Sequence, residues 1–257
     1  MSKTLQEIQE FNRRKIICAV NGTENYEEAL KKPFTDLVKL IIGIILSVIP
    51  IVNWIAQGFI IECSGTGKTK PSKNMPEWKD MLDYLVEGLL SHIIALIYAI
   101  PAIIVLVTAF GFAIGSLVST FTGILPEGFM SSMMAGQATG ETAKILTQNW
   151  MLALPTIITV APLIILGLLL LLIAVYLSPI AVLNYLKNKK FSNAFDLKFV
   201  ASKAFKVNYL ITWIVVGVIA LILKAVLSFI PWIGSAIAFF ISGVIAYSLF
   251  GQVFREK

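Results

Sequence analysis

Residues 88–126 read GLLSHIIALIYAIPAIIVLVTAFGFAIGSLVSTFTGILP and contain no Asp, Glu, Lys or Arg. A second segment without formal charge covers residues 145–186, so the two segments are 39 and 42 residues long. Helices of a water-soluble fold need a polar face, and neither segment supplies one. A bilayer core about 30 Å thick is crossed by a helix of about 20 apolar residues. The sequence therefore predicts a protein that crosses a membrane several times.

The composition of the whole chain indicates the same class. Hydrophobic residues make up 57% of the 257 residues and charged residues 14%, against about 25% charged residues in a soluble domain. No polar block is long enough to hold a separate soluble catalytic domain. The net charge of +6 is explained by basic loops beside apolar spans, which set orientation in a membrane. We therefore expect membrane lipids as partners and no nucleic acid.

The N-terminal residues 1–22 predict a short amphipathic extension without the apolar core of a signal peptide. Residues 23–257 are expected to form a single polytopic membrane domain. Cys18 and Cys63 are isolated in the sequence, so we expect reduced and inert thiols rather than a disulfide or a metal pair.

The apolar run from Leu40 to Ile61 has Pro50 at its middle. It forms either one kinked helix, since proline is tolerated in a membrane helix, or two short helices that turn back at Pro50. The flanking segments favour the turn: seven Lys or Arg residues precede residue 40 and four lie in residues 63–80. Because basic segments stay in the cytoplasm, a single span would place one of them outside. The sequence LSVIP at residues 46–50 also recurs as LSFIP at residues 227–231, before a second expected turn.

The predicted fold is an all-α integral membrane helix bundle of about six helices with proline-broken hairpins. The expected helices cover about residues 37–49, 51–62, 81–121, 150–186, 208–230 and 232–254. The fourth is longer than an upright span requires, so its prolines are expected to kink it or to set part of it along the interface. The segment 122–150 contains one Lys and is expected outside. Both chain termini are then cytoplasmic, in the cell membrane.

Several short motifs occur in an order that resembles a known family. They are YEEAL and PFTD at residues 26–36, IPIVNW at 49–54, PEW at 76–78, SPIA at 178–181, and IPWIG at 230–234. Over about residues 26–254 they resemble a family of archaeal and bacterial multi-pass membrane proteins known as domain of unknown function family 4013. The resemblance implies an integral membrane fold of several helices and no established activity.

Polar residues within the apolar segments are the candidates for an intramembrane site. Lys224 lies six residues before Ile230, about 9 Å below the expected outer turn. It either snorkels to the interface or faces the bundle interior and binds an anion. Asn53 and Gln57 are the other candidates, with hydrogen bonding between helices as their alternative role.

Two further groups of residues suggest contacts with lipids or partners. Lys187, Lys189 and Lys190 are candidate contacts for anionic lipid headgroups, and their alternative role is to set orientation alone. Gly111 and Gly115 form a GxxxG motif, which permits close helix packing within the chain or self-association.

Other motifs predict no catalytic, cofactor or metal site. The segment SGTGKT at residues 64–69 resembles a phosphate-binding loop, but Glu62 stands where that motif requires its first glycine. We therefore expect a flexible loop there. His92 is the single histidine and has no ligand set around it in the sequence.

The favoured hypothesis is a non-enzymatic membrane protein that acts through protein or lipid partners, as an accessory subunit or membrane organiser. It follows from the missing catalytic motifs and from the amphipathic segments 5–16 and 78–90. The alternative is a transporter or channel for a small anionic or neutral solute, because proline-broken helices often build midplane sites. A membrane enzyme acting on lipid ranks third, since it would need a nucleophile–base pair or a metal.

Overall fold

The computed structural model describes residues 26–121, Met134 and residues 150–256. The regular structure among these residues is helical, without strands, which confirms the all-α class. The α-helices are α1 (Tyr26–Lys31), α2 (Leu37–Val48), α3 (Asn53–Glu62), α4 (Met81–Phe121), α5 (Leu154–Asn188), α6 (Leu197–Ala204), α7 (Val207–Leu227) and α8 (Ile233–Arg255). Short 3-10 helices cover Lys32–Phe34, Trp150–Ala153 and Phe191–Phe195. The predicted extension 1–22 lies outside the described residues.

Four helices, α4, α5, α7 and α8, are long and apolar enough to cross a membrane. This suggests a membrane-embedded protein. Helices α2 and α3 have 12 and 10 residues, so they extend about 18 and 15 Å, roughly half of a bilayer core. The predicted count of about six membrane helices therefore stays a prediction.

Residues 49–52 separate α2 from α3. Helix α2 begins where the Asp36 side chain accepts hydrogen bonds from the backbone N–H groups of Val38 and Lys39, each at 3.1 Å. The chain just past the end of α3 lies beside the segment that precedes α2. The hydrogen bond from Lys32 Nζ to Cys63 O, at 2.7 Å, shows this. The chain thus forms two short helices around Pro50 instead of one continuous helix.

The prolines within the longer helices do not interrupt them. Pro101 lies inside α4, and α5 is continuous through Pro155, Pro162 and Pro179. Helix α7 ends at Leu227 and α8 begins at Ile233, so the second expected turn occupies the residues between them.

Contacts divide the chain into two compact units. The first lies within Met1–Ile97 and Tyr176–Lys257, and its core forms around α8, which contacts α1, α2, α3 and α7. Fully buried Phe59 stacks on Trp78 with ring centroids 3.8 Å apart, and Phe240 of α8 lies 6.0 Å from Phe59. Aromatic stacking therefore joins α3, α8 and the segment before α4.

The second unit lies within Tyr98–Val175. Ser116 Oγ of α4 lies 2.7 Å from Thr156 Oγ1 of α5, and Gly167 faces Leu106. Most of its large apolar side chains are exposed. The prediction of one membrane domain over residues 23–257 stays a prediction.

The basic segments of the first unit meet at one end, here called the basic end. They are the segment before α2, residues 63–80, residues 187–207, and the last turn of α8. The hydrogen bonds between them join Lys32 Nζ to Cys63 O, Arg255 Nη1 to Ser64 O, and Lys203 Nζ to Phe254 O. These segments therefore share one end, as the Lys and Arg counts led us to expect. The predicted external segment 122–150 lies almost wholly outside the described residues.

Two glycines bring the backbones of α3 and α4 together. A Cβ atom on Gly58 would lie 1.9 Å from Tyr84 O, and one on Gly88 would lie 1.9 Å from Trp54 O. Since backbone cannot move aside as a flexible side chain does, a methyl group at either position would push the helices apart.

We expect Gly88→Ala to destabilise the protein by about 2 kcal/mol. The matched control is Gly111→Ala, because a Cβ at Gly111 of the same helix meets nothing within 4 Å. The control should be neutral or slightly stabilising, as alanine favours helix over glycine. Thermal unfolding in detergent compares the two variants, and equal effects would contradict the close approach.

Candidate functional site

Two buried glutamates and one lysine form a charged group at the basic end, here called the carboxylate cluster. Glu62 is the last residue of α3, Glu87 lies in the second turn of α4, and Lys189 directly follows α5. The two glutamates are 2% and 5% exposed. Lys189 Nζ lies 3.4 Å from Glu62 Oε1 and also pairs with Glu87 Oε1. One ammonium group therefore bridges two buried carboxylates from separate helices.

The loop Ser64–Thr69 supplies further partners for Glu62. The backbone N–H groups of Lys68 and Thr69 donate to its carboxylate oxygens at 3.1 and 3.2 Å, and the Thr69 hydroxyl lies 2.8 Å from Oε2. Gly67 permits this approach, because a Cβ there would lie 2.2 Å from Glu62 Oε1. The loop therefore folds around a carboxylate of its own chain, and its predicted flexibility stays a prediction.

Glu87 is less well compensated than Glu62. Its Oε1 meets Lys189, but its Oε2 is buried and has no hydrogen-bond partner among the described residues. A buried charged oxygen without a partner costs free energy. With two carboxylates and one ammonium, the cluster carries a net formal charge of −1. Chemically, it can hold a proton or a second cation at Glu87, or act as a structural link between three helices.

The backbone of Lys189 directs its side chain to the cluster. Its φ angle is +51°, in the left-handed region that a residue other than glycine seldom adopts. Its N–H donates to Tyr185 O at 2.8 Å, and this hydrogen bond closes the last turn of α5. Nearby, Asn184 Nδ2 donates to Asn193 O at 2.7 Å and fixes the following 3-10 helix. The strained residue is thus held in place from both sides.

A second ion pair lies at the edge of the cluster. Lys68, whose backbone binds Glu62, uses its side chain to pair with Asp83 of α4. The hydrogen bond that the Lys68 ammonium group donates to the Asp83 carboxylate raises the pKa of Lys68. Both side chains are about half exposed, so solvent screens this pair more than it screens the contacts of Lys189, whose side chain is 36% exposed, with the two buried glutamates.

The thiol next to the cluster is chemically inert. Cys63 is buried, and burial raises its pKa to about 12. At neutral pH it is therefore protonated and a poor nucleophile. Cys18 lies outside the described residues.

The predicted intramembrane candidates lie on two helices. Lys224 is on α7 with its side chain exposed, while Asn53 and Gln57 are partly buried in α3. Among the described residues, no hydrogen bond or ion pair joins Lys224 to the other two. Asn53 Oδ1 is buried without a hydrogen-bond partner in the part of the chain that is described. A site built from all three stays a prediction.

The lysines at the end of α5 differ in their surroundings. Lys187 and Lys190 are exposed, and contact with lipid headgroups stays a prediction for them. Lys189 is committed to the carboxylate cluster. On α4, a Cβ added to Gly111 or Gly115 would meet nothing within 4 Å, so the structure leaves the GxxxG face open.

Sequence reasoning missed the carboxylate cluster. In the sequence, Glu62 stands where a phosphate-binding motif requires glycine, and the signal for its role is that this carboxylate directly precedes a glycine-rich loop. Glu87 lies within the predicted amphipathic segment 78–90, where an acidic residue is expected on the polar face. Lys189 was grouped with its neighbours because its charge alone does not show its backbone conformation.

The structure is that of a helical protein with four helices long and apolar enough to cross a membrane and with buried charges at its basic end. The family described as Protein of unknown function (DUF4013) matches residues 42–251, which include all three residues of the cluster. The chain therefore belongs to this family, and the predicted resemblance is confirmed. Comparisons with curated proteins and with solved structures found no match.

We expect Lys189→Met to destabilise the protein by about 3 kcal/mol, because two buried carboxylates lose their shared cation. The exposed neighbour Lys187 provides the matched control, and Lys187→Met should change stability by less than about 0.5 kcal/mol. Thermal unfolding in detergent at neutral pH measures both.

A second variant separates charge from packing. Adding Glu87→Gln to Lys189→Met removes one uncompensated carboxylate, so it should restore part of the lost stability. If the double variant is no more stable than Lys189→Met, the ion pair is not what stabilises this end.

Proposed function

We propose that this protein is a non-enzymatic integral membrane protein that acts through lipid or protein partners, as an accessory subunit or a membrane organiser. The supporting observation is the apolar surface that its helices leave uncovered. Over an apolar stretch of 18 residues, α7 buries 6% of its residues, α4 and α5 bury 17% each, and α8 buries 61%. Three spans therefore present apolar surface to their surroundings.

This surface needs an apolar environment. Monomeric soluble proteins rarely expose contiguous apolar patches beyond a few hundred Å². On α7, Leu221 and Val226 are 69% and 63% exposed. Lipid chains or the helices of another protein can cover such faces, and the GxxxG pair Gly111 and Gly115 offers one place for close packing between chains.

The proposed orientation places the basic end at the cytoplasmic face of the cell membrane, following the positive-inside rule. The residues that follow α1 and the last turn of α8 lie at this end, and the proposed arrangement therefore has both termini in the cytoplasm. Helices α2 and α3 then enter the bilayer to about half its depth and return. With the four spans, they account for about six membrane helices.

Retention of partners tests the proposal. After mild solubilisation, native mass spectrometry should find the protein with bound lipid, a second copy or another membrane protein. Changing Gly111 and Gly115 to Leu should reduce any self-association, because bulky side chains block a close helix contact. Gly217→Leu on α7 is the control, since Gly217 also faces open space.

A monomer without bound lipid or protein would contradict the proposal. Orientation is checked in intact cells by thiol labelling of a Ser72→Cys variant, whose new cysteine lies in the segment between α3 and α4. Labelling of that thiol from outside intact cells would reverse the proposed orientation.

The alternative function is a transporter or channel for a small anionic or neutral solute. The observation that favours it is the hairpin of α2 and α3, whose turn residues 49–52 would lie at membrane depth. Next to this turn, Asn53 Oδ1 is buried and has no hydrogen-bond partner among the described residues. Discontinuous helices of this type often form solute sites. Lys224 is a weaker candidate for a pathway within one chain, because it is exposed on α7.

Flux into protein-containing liposomes tests this alternative, with chloride and glycerol as probes. A transporter would show flux that Asn53→Ala reduces. Loss of flux in Lys224→Ala would place Lys224 in the pathway, for example between two copies of the chain. Flux no faster than in protein-free liposomes would count against the alternative.

A further inference from the structure

A cleft of about 310 Å³ opens at the basic end of the first unit. It is bounded by α1 and the turn after it, by Cys63 and Ser64, by residues 71–73, and by the last turns of α8. Its charged lining residues are Glu28, Lys32, Lys73 and Arg255. Three cations and one carboxylate give the lining a net formal charge of +2. The volume is at the lower end of the range for small-molecule sites, about 300–1,000 Å³.

Lys32 is the most unusual residue of this cleft. It is only 6% exposed, and its ammonium group donates to Cys63 O at 2.7 Å. No carboxylate of the described residues lies within ion-pair distance of it. Burial lowers the pKa of Lys32, and the nearby positive charge of Arg255 lowers it further. Burying an ammonium group without an anion is costly, and no carboxylate of the described residues offsets that cost for Lys32.

Arg255 faces the same space from α8. Its Nη1 donates to Ser64 O. The close approach of α8 to this loop depends on Gly251, where a Cβ would lie 2.1 Å from Ser64 O. One carbonyl uses only part of the donor capacity of a guanidinium group, which has five N–H donors. The adjacent carbonyls of Cys63 and Ser64 thus hold two cations near one another.

The third cation of the cleft, Lys73, lies at its rim and is neutralised by an ion pair. Lys73 pairs with Glu28 at 2.7 Å, and its side chain is 77% exposed. The unbalanced charge therefore comes from Lys32 and Arg255. A guanidinium group beside an ammonium group suits a phosphate, which accepts several charge-assisted hydrogen bonds. At the end of a membrane helix bundle, phosphate is most abundant in lipid headgroups.

We propose that this cleft binds a phosphate group between Lys32 and Arg255, presented by the headgroup of an anionic phospholipid. The site is separate from the exposed Lys187 and Lys190, and the inference rests on the proposed membrane function. The bound phosphate supplies the negative charge that Lys32 lacks. It also ties the turn before α2 to the last turn of α8.

The test uses the full chain in nanodiscs of phosphatidylcholine, with or without phosphatidylglycerol. A third arm adds inorganic phosphate to the phosphatidylcholine discs. Thermal unfolding measures stability, and native mass spectrometry measures retained phosphatidylglycerol. Phosphatidylglycerol should raise the unfolding temperature of the unaltered protein and remain bound after release from the disc.

Lys32→Met should abolish the phosphatidylglycerol-dependent rise and weaken retention about tenfold, as expected for the loss of a charged hydrogen bond. In phosphatidylcholine alone it should be at least as stable as the unaltered protein, because it removes a buried charge. Lys31→Met is the matched control: the adjacent Lys31 is exposed and pairs with Glu27. Lys31→Met changes the net charge of the protein as much as Lys32→Met does. It should keep the full phosphatidylglycerol-dependent rise in unfolding temperature.

Arg255→Gln provides a second variant, at the exposed cation of the cleft. It should also lose the phosphatidylglycerol-dependent rise in unfolding temperature. An equal rise in Lys31→Met and Lys32→Met would overturn the site, since the lipid would then act on overall charge. A rise with inorganic phosphate alone, lost in Lys32→Met, would overturn the lipid as the source. If the protein enters the nanodiscs but neither phosphatidylglycerol nor inorganic phosphate changes its unfolding temperature, the phosphate site is overturned and the proposed membrane function stands. If the protein enters no nanodisc, both are overturned.

Discussion

The C-terminal end of α3 attracts three cations, and the basic end of the structure is organised around it. The Glu62 side chain binds Lys189, while the next two carbonyls hold Lys32 and Arg255. The last carbonyls of a helix lack intrahelical partners and carry partial negative charge. A helix of only 10 residues therefore fixes the segment before α2, the end of α5 and the end of α8 by electrostatic contacts.

The two sides of this helix end have opposite imbalances. On one side, two buried carboxylates share a single lysine, and one oxygen of Glu87 is left without a partner in the described residues. On the other side, Lys32 is buried beside Arg255 and donates to Cys63 O, and no carboxylate of the described residues lies within ion-pair distance of it. The two sides are adjacent in the sequence, because the consecutive residues 62–64 supply groups to both. Buried charges without full compensation are expensive in folding, and in a protein of this class they are reasonable places for ligands or protons.

Much of the architecture was predictable because it follows from local composition. Uncharged segments identify the long helices, and the count of Lys and Arg led us to expect that residues 63–80 and the N-terminal segment share one side. The carboxylate cluster was not predictable in this way. Its members are separated by 25 to 127 residues, and their pairing depends on the +51° φ angle of Lys189 and on the fold of residues 64–69.

The sequence by itself determined that this protein is helical and apolar, with basic segments beside its spans, because hydrophobicity and charge are properties of single residues and short windows. Only the tertiary structure decided which charges are buried and which partner each receives. Lys187, Lys189 and Lys190 have the same chemistry in the sequence, yet Lys189 pairs with two buried carboxylates. Burial depends on contacts between distant segments, and no local pattern encodes those contacts.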